Sequence, residues 1–190
     1  MIIGITGGTG CGKTTLLNVI RQKGGIVLDC DAIYHELLKT DEEMLSAIET
    51  RFPGTVENGV LQRKKLGAIV FNDKTALEDL NRITHGAVKA EVQRRLTPLP
   101  PLAAIDAIGL FESGLDKLCQ CTVAVDAPRD ARIARLMARD GISADYAAAR
   151  IDAQPSGAVF AQRCDAVLLN DTTQENFQEK CLAFLHKVGV

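Results

Sequence analysis

Apolar positions along the chain fall into two rhythms. Five short runs are continuously apolar: Ile2-Ile3-Gly4-Ile5-Thr6, Ile26-Val27-Leu28, Leu102-Ala103-Ala104-Ile105-Asp106, Thr122-Val123-Ala124-Val125-Asp126 and Ala166-Val167-Leu168-Leu169. Runs of this length without alternation predict strands covered on both faces, as in a parallel sheet. The segments between them carry apolar residues at helical spacing. Ile33, Leu37, Leu38, Met44, Leu45 and Ile48 predict a helix over 32–51. Further helices are predicted over 61–71 and over 74–96, the second with a stripe of Leu77, Leu80, Ile83, Val88 and Val92. Another starts at Ala127-Pro128 and stops at Asp140-Gly141, Ser143 caps a helix over 144–153, and Thr172 or Thr173 opens the last.

Strands alternating with helices define an α/β fold, a three-layer α/β/α arrangement around a five-stranded parallel sheet. One domain is expected. Its core is 1–31, 102–142 and 164–190, with a helical acceptor-binding insertion over 32–97 and a short helical lid over 143–163. Pro98-Leu99-Pro100-Pro101 reads as a rigid connector inside that domain, because the strand after it should enter the first strand's sheet.

The loop after the first strand carries the chemistry. Gly7-Gly8-Thr9-Gly10-Cys11-Gly12-Lys13-Thr14 fits G-x-x-x-x-G-K-[ST] between a strand and a helix, with Thr15 following. Gly8, Gly10 and Gly12 let backbone N–H groups turn inward around a phosphate, and the helix N-terminus adds its own amides. Lys13 is expected on the β- and γ-phosphates, and the Thr14 hydroxyl on Mg²⁺. Cys11 places a thiol beside this positive site, so a lowered pKa and inhibition by thiol reagents are expected.

Strand ends supply carboxylates. Asp29 and Asp31 follow the second strand, where ligands of open parallel sheets bind. Asp31 reads either as the cap of the helix from Ala32 or as a group aligning an acceptor hydroxyl. Asp106 ends the third strand in the position of a second metal-site acid. Arg132, Arg135 and Arg139 share a helix face at i, i+3 and i+7, either a solvated stripe or, in part, a grip on polyphosphate. His85, with Lys89 one turn on, reads from the sequence alone as an ordinary helix residue.

Composition narrows the classes. Lys and Arg number 22 against 24 Asp and Glu, a formal charge of −2, so no broad nucleic-acid or membrane footprint is expected. No apolar run reaches membrane-spanning length, and the first strand begins beside Met1, so a cytoplasmic protein without a leader is expected. Six scattered cysteines read as reduced thiols, mostly in the core, rather than as a zinc site.

Nearly the whole chain resembles the dephospho-CoA kinase family. The resemblance lies in Gly7–Thr15, Leu28-Asp29-Cys30-Asp31, Leu80-Asn81-Arg82-Ile83-Thr84-His85, Leu110-Phe111-Glu112-Ser113-Gly114-Leu115, and Arg139-Asp140-Gly141 with Arg150 and Gln154. It implies an ATP- and Mg²⁺-dependent kinase that phosphorylates the ribose 3′-hydroxyl of dephospho-CoA. By that pattern Lys13, Asp31 and Arg139 are catalytic. His85, Lys89, Leu110, Phe111 and Glu112 seat the acceptor, and Asn170 lies beside the adenine. Gly86 stands where the family commonly has Pro, and Lys89 where it tends to have Arg. A monomer is expected, a small homo-oligomer being the alternative. The rival functions are another small-molecule kinase of this fold, a nucleotide-dependent switch, and a weak relative that binds CoA-like ligands.

Overall fold

The structure is a computed structural model that describes residues 1–190. Its contacts divide the chain into two compact units, Met1–Leu28 with Leu99–Val190, and Asp29–Pro98. One boundary between the units falls at Pro98–Leu99 in the proline cluster, and the strand that follows enters the first strand's sheet, as expected.

The first unit is built on five strands: β1 (Ile2–Thr6), β2 (Ile26–Asp29), β5 (Ala103–Asp106), β6 (Cys121–Asp126) and β7 (Ala166–Leu169). They form a parallel sheet in the order β2-β5-β1-β6-β7. β1 lies at the centre, pairing Ile2 with Ala103 on one side and Ile3 with Cys121 on the other. The strand order reverses at β1, so the loop leaving its carboxyl end sits at a topological switch point, where such sheets bind ligands. Ile3 and Ile5 on one face of β1 join Val123 and Val125 of β6 in the main core. The helices α1 (Lys13–Gln22) and α9 (Gln174–Lys187) complete it with Leu16, Ile20, Phe177 and Leu185. On the opposite face Gly4 is the close-approach residue: a Cβ there would stand 2.9 Å from Leu110 Cδ2.

After β6 come α6 (Arg129–Asp140), α7 (Ala144–Asp152) and α8 (Gly157–Arg163), the last not anticipated from the sequence. Leu136 of α6 with Ala147 and Ile151 of α7 forms a separate small cluster. Ser143 caps α7 by accepting from the Tyr146 N–H at 3.3 Å.

The second unit packs α2 (Cys30–Thr40), α3 (Glu42–Arg51) and α4 (Arg63–Val70) on the long α5 (Lys74–Arg95). The single helix expected over 32–51 is therefore two. Asp41 breaks it by adopting an extended conformation and capping α3 through the Met44 N–H at 2.8 Å. The helix expected from 61 starts at Arg63, because Val60–Leu61 (β4) pairs with Val56–Glu57 (β3) in a hairpin. Asn58 and Gly59 form its turn, both at positive φ, the Asn-Gly signature of a two-residue hairpin. The stripe on α5 is also shifted: Ala76, Thr84, Val88 and Val92 are buried, while Leu77 is 42% exposed.

Glu91 of α5 accepts from Arg94 at 2.7 Å and from Arg95 at 2.6 Å, and Arg95 reaches Glu36 of α2 at 2.7 Å. The hydrogen bonds from Arg94, followed by those from Arg95, hold the Glu91 carboxyl at about 2. A carboxyl depressed by folding adds stability above its unfolded value, and that stability fades as pH falls through the folded one. Glu91→Gln is thus expected to melt below the wild type at neutral pH. The gap should close between pH 4.5 and about 2, as followed by thermal melts across that range.

Candidate active site

The loop from β1 to α1 turns sharply at glycines. Gly7, Gly10 and Gly12 have φ of 139°, 76° and 99°. At Gly7 a Cβ would also stand 2.2 Å from the Val125 carbonyl, and at Gly12 2.2 Å from Asn170 Nδ2. Side chains at these two positions are excluded by strain and space together. Gly12 is the N-cap of α1 and no side chain caps that helix. Apart from the Thr15 N–H, which donates to Gly12 O at 3.1 Å, its first-turn amides and positive dipole end are therefore left to an anion.

The outside of the loop explains why its amides face inward. Arg132 Nε donates to Thr9 O at 2.9 Å. Arg135 Nη1 donates to Gly10 O at 3.2 Å, and Asn170 Nδ2 to Cys11 O at 3.0 Å. Three successive carbonyls are thus held outward by donors from α6 and from the end of β7. In a trans peptide the N–H points opposite to the C=O, so the Gly10, Cys11 and Gly12 N–H groups turn to the concave side. There the Cys11 N–H closes a turn on Gly8 O at 3.4 Å, and those of Gly10 and Gly12 face an incoming anion. Gln154, just after α7, accepts from the Thr9 N–H at 2.7 Å.

Lys13 Nζ curls over the loop, donating to Gly7 O at 2.9 Å and lying 4.0 Å from Asp106 Oδ1. Thr14, one residue into α1, is exposed, and Thr15 is half-buried. The Thr14 hydroxyl and the Asp106 carboxylate are hard oxygen donors of the kind Mg²⁺ takes. Mg²⁺ draws most of its remaining ligands from water and phosphate, so a dedicated cluster of three protein ligands is not required. No such cluster of His, Cys, Asp or Glu is present.

Several expected residues stand differently. Cys11 is 1% exposed, and burial raises its thiol pKa, outweighing the lowering by Lys13 and Arg132. The lowered pKa expected from the sequence is corrected, because the side chain points into the core beneath the loop. Native protein treated with iodoacetamide should keep Cys11 unmodified while denatured protein is alkylated there, as read by peptide mass spectrometry. Cys30 and Cys181 are also buried, and none of the six cysteines is in a disulfide.

Arg139 pairs with its neighbour Asp140 at 2.7 Å, and Arg150 pairs with the same carboxylate at 2.7 Å. Hydrogen bonds from Arg139 first, and from Arg150, hold Asp140 at about 2. The arginines that bond to the loop are Arg132 and Arg135, so the stripe divides along its length. The i, i+3 spacing carried that signal, but spacing does not say which end of the helix meets the loop. Gln154 is a further contact missed as a site residue. Asn170, 6% exposed, gives its amide to the loop from behind.

Leu110 is 0% exposed and holds its segment in the core. Phe111 and Glu112 are both met by Arg163 of α8, which pairs with the carboxylate and stacks over the ring at 4.3 Å.

The second unit carries Asp31, His85 and Lys89. Asp29, and not Asp31, caps α2: its carboxylate accepts from the Ala32 N–H at 3.0 Å. Asp31 sits exposed within the first helical turn, which leaves its carboxylate to other work. His85 and Lys89 are half-buried on α5, four residues apart and so on one face.

A five-stranded parallel sheet with this loop at its switch point, and a lysine and hydroxyl opening the next helix, belongs to the P-loop kinases. A family model described as CoaE, dephospho-CoA kinase, matches residues 1–176. The chain belongs to the dephospho-CoA kinase family. It is 33% identical to a dephospho-CoA kinase of Pseudoalteromonas translucida over 98% of this chain and 90% of the relative. Among solved structures it is similar to TT1252 from Thermus thermophilus, with a TM-score of 0.83 and 34% identity over 100% of this chain and 98% of the other. It is also similar to the dephospho-CoA kinase from Campylobacter jejuni, with a TM-score of 0.67 and 25% identity over 98% of this chain and 96% of the other. No helix is long and apolar enough to cross a membrane.

Proposed function

We propose that the protein transfers the γ-phosphoryl group of ATP, bound with Mg²⁺, to the ribose 3′-hydroxyl of dephospho-CoA. The observation that carries the nucleotide half of this reading is the outward pinning of the Thr9, Gly10 and Cys11 carbonyls, which leaves a concave face of amides at the start of α1. Membership of the family supports the acceptor half. Thr14 and Asp106 would hold Mg²⁺, which when bound would supply charge neutralisation on the phosphates.

In this reading the loop amides and Lys13 fix the triphosphate and stabilise charge as it moves to the departing oxygen. The 3′-oxygen forms a bond to the γ-phosphorus, and the bond from that phosphorus to the β–γ bridging oxygen breaks. Asp31 accepts or aligns the hydroxyl proton, and ADP leaves with the electron pair. His85 and Lys89 bind the acceptor, with Phe111 and Glu112 as its further contacts. Arg139 reaches the transferred phosphate when the lid over 143–163 engages, exchanging Asp140 for phosphate oxygens. Asn170 contributes to the nucleotide site through the loop it pins. The protein acts in the cytoplasm and as a monomer.

The test is ATP consumption with and without dephospho-CoA, against a panel of nucleosides, nucleotides and sugars. Rapid ADP formation only with dephospho-CoA is expected, with phosphate on the 3′-oxygen of the product. Equal turnover with another alcohol would assign the protein to a different small-molecule kinase reaction. Slow hydrolysis indifferent to every acceptor would point to a switch.

A further inference from the structure

Arg132 does more than pin a carbonyl. Its side chain lies on the first half of α6 and the residue is 5% exposed. Nε is satisfied by Thr9 O at 2.9 Å, but Nη2 is buried without a hydrogen-bond partner. A buried cationic donor left in that state is unfavourable, and it persists in proteins where a ligand supplies the missing acceptor. The direction of the orphan is set by the loop. A Cβ at Gly8 would stand 2.2 Å from Nη2 and 2.9 Å from Cζ, so the guanidinium fills the space that the absent side chain of Gly8 leaves. Gln154 Oε1 lies 3.2 Å from that same point, and it already accepts from the Thr9 N–H. Thr9 is thus gripped at its N–H by Gln154 and at its C=O by Arg132, with a second guanidinium nitrogen held beside it. The charge is felt inside the loop, where it opposes the rise in the Cys11 pKa.

We propose that Arg132 is a phosphate-binding residue of the cradle, offering Nη2 to an oxygen of the nucleotide's polyphosphate while Nε keeps Thr9 in place. A guanidinium suits both tasks because its donors diverge from one rigid plane. Lysine could supply the charge but not the two bonds at once. This rests on the reading of the loop as an ATP site, and it adds to Lys13 a second fixed cation there. It also explains Gly8 as the residue that makes room for the guanidinium.

The experiment measures ATP binding by calorimetry, with inorganic tripolyphosphate as a competing probe, for wild type, Arg132→Gln and Arg132→Lys, alongside thermal melts without nucleotide. Wild-type binding of ATP must be seen first; its absence would sink the nucleotide reading itself. Given that binding, Arg132→Gln should weaken both ATP and tripolyphosphate at least tenfold while melting no lower than wild type, since it removes an unsatisfied buried charge. Arg132→Lys should fall between the two. ATP affinity within twofold of wild type in folded Arg132→Gln would overturn the proposal and leave the ATP site standing. Should the variants not fold, a crystal structure of wild type with ATP decides. Nη2 within about 3.2 Å of a phosphate oxygen supports the proposal, and Nη2 turned away from every phosphate overturns it.

Discussion

Lys13→Ala is expected to lose about a thousandfold in kcat, the scale set by removal of a preorganised charge-stabilising donor from a closed site. The structure gives the reason. Lys13 Nζ is held over the loop by Gly7 O at 2.9 Å and faces Asp106 Oδ1 at 4.0 Å. Its ammonium therefore costs little to reorganise when phosphate arrives, and no other lysine bonds to this loop. The main fold should survive, because Lys13 is the first residue of α1 and contributes nothing to the core formed by Leu16, Leu17, Val19 and Ile20. The check is steady-state kinetics with saturating dephospho-CoA, together with a thermal melt close to that of wild type. Lys13→Arg should recover little, since the larger planar head cannot occupy the ammonium's position under the same carbonyl. Near-normal turnover in the alanine variant would remove the loop from the mechanism.

What the sequence disclosed about this site follows a physical divide. The loop itself was legible because a phosphate cradle depends on backbone, and the backbone demands glycine at stated spacings. The positive φ values at Gly7, Gly10 and Gly12 are the structural side of that demand. The sheet was legible for a similar reason: a strand covered on both faces has to be largely apolar, as β1, β5 and β6 are. The edge strands β2 and β7 carry the same apolar pattern but stand partly exposed, against the expectation of full cover. The hairpin at Val56–Leu61 carried its own signal in Asn58-Gly59 but was too short to interrupt a helical pattern on hydrophobicity alone. The break at Asp41 is a competition between capping and propagation, and apolar spacing on either side of it was nearly in phase.

Side-chain assignments were less legible where they depend on distances across the chain. Arg132 and Thr9 are 123 residues apart, and Gln154 and Thr9 145. Local spacing can place three arginines on one face, but only tertiary packing decides that two meet the loop while the third pairs with Asp140. Cys11 shows the same limit in another form. Its position in the motif is next to positive charge, and its burial, which the motif does not encode, wins. The pair of aspartates after β2 was ambiguous because a cap and a catalytic carboxylate use the same residue type within two positions of each other.

That ambiguity yields the second large effect. Asp31→Asn is expected to lower kcat by about 10²–10⁴-fold, the usual contribution of a group that takes or aligns a proton in the transition state. ATP affinity should be unchanged, since the phosphate cradle is formed by other residues. Asp29→Asn should do the reverse: an amide oxygen still caps, so stability and rate stay near wild type, whereas Asp29→Ala should cost about 1 kcal/mol of stability through loss of the cap. The two sites thus separate by variant and by readout. The Asp29 carboxylate is engaged by the Ala32 N–H at 3.0 Å, and Asp31 sits exposed in the first turn that this cap secures. Kinetics, ATP binding and thermal melts on the three variants check the assignment together. Retained turnover in Asp31→Asn with a collapse in Asp29→Asn would reverse the roles. Loss of ATP binding in Asp31→Asn would place that carboxylate with the nucleotide instead of the acceptor.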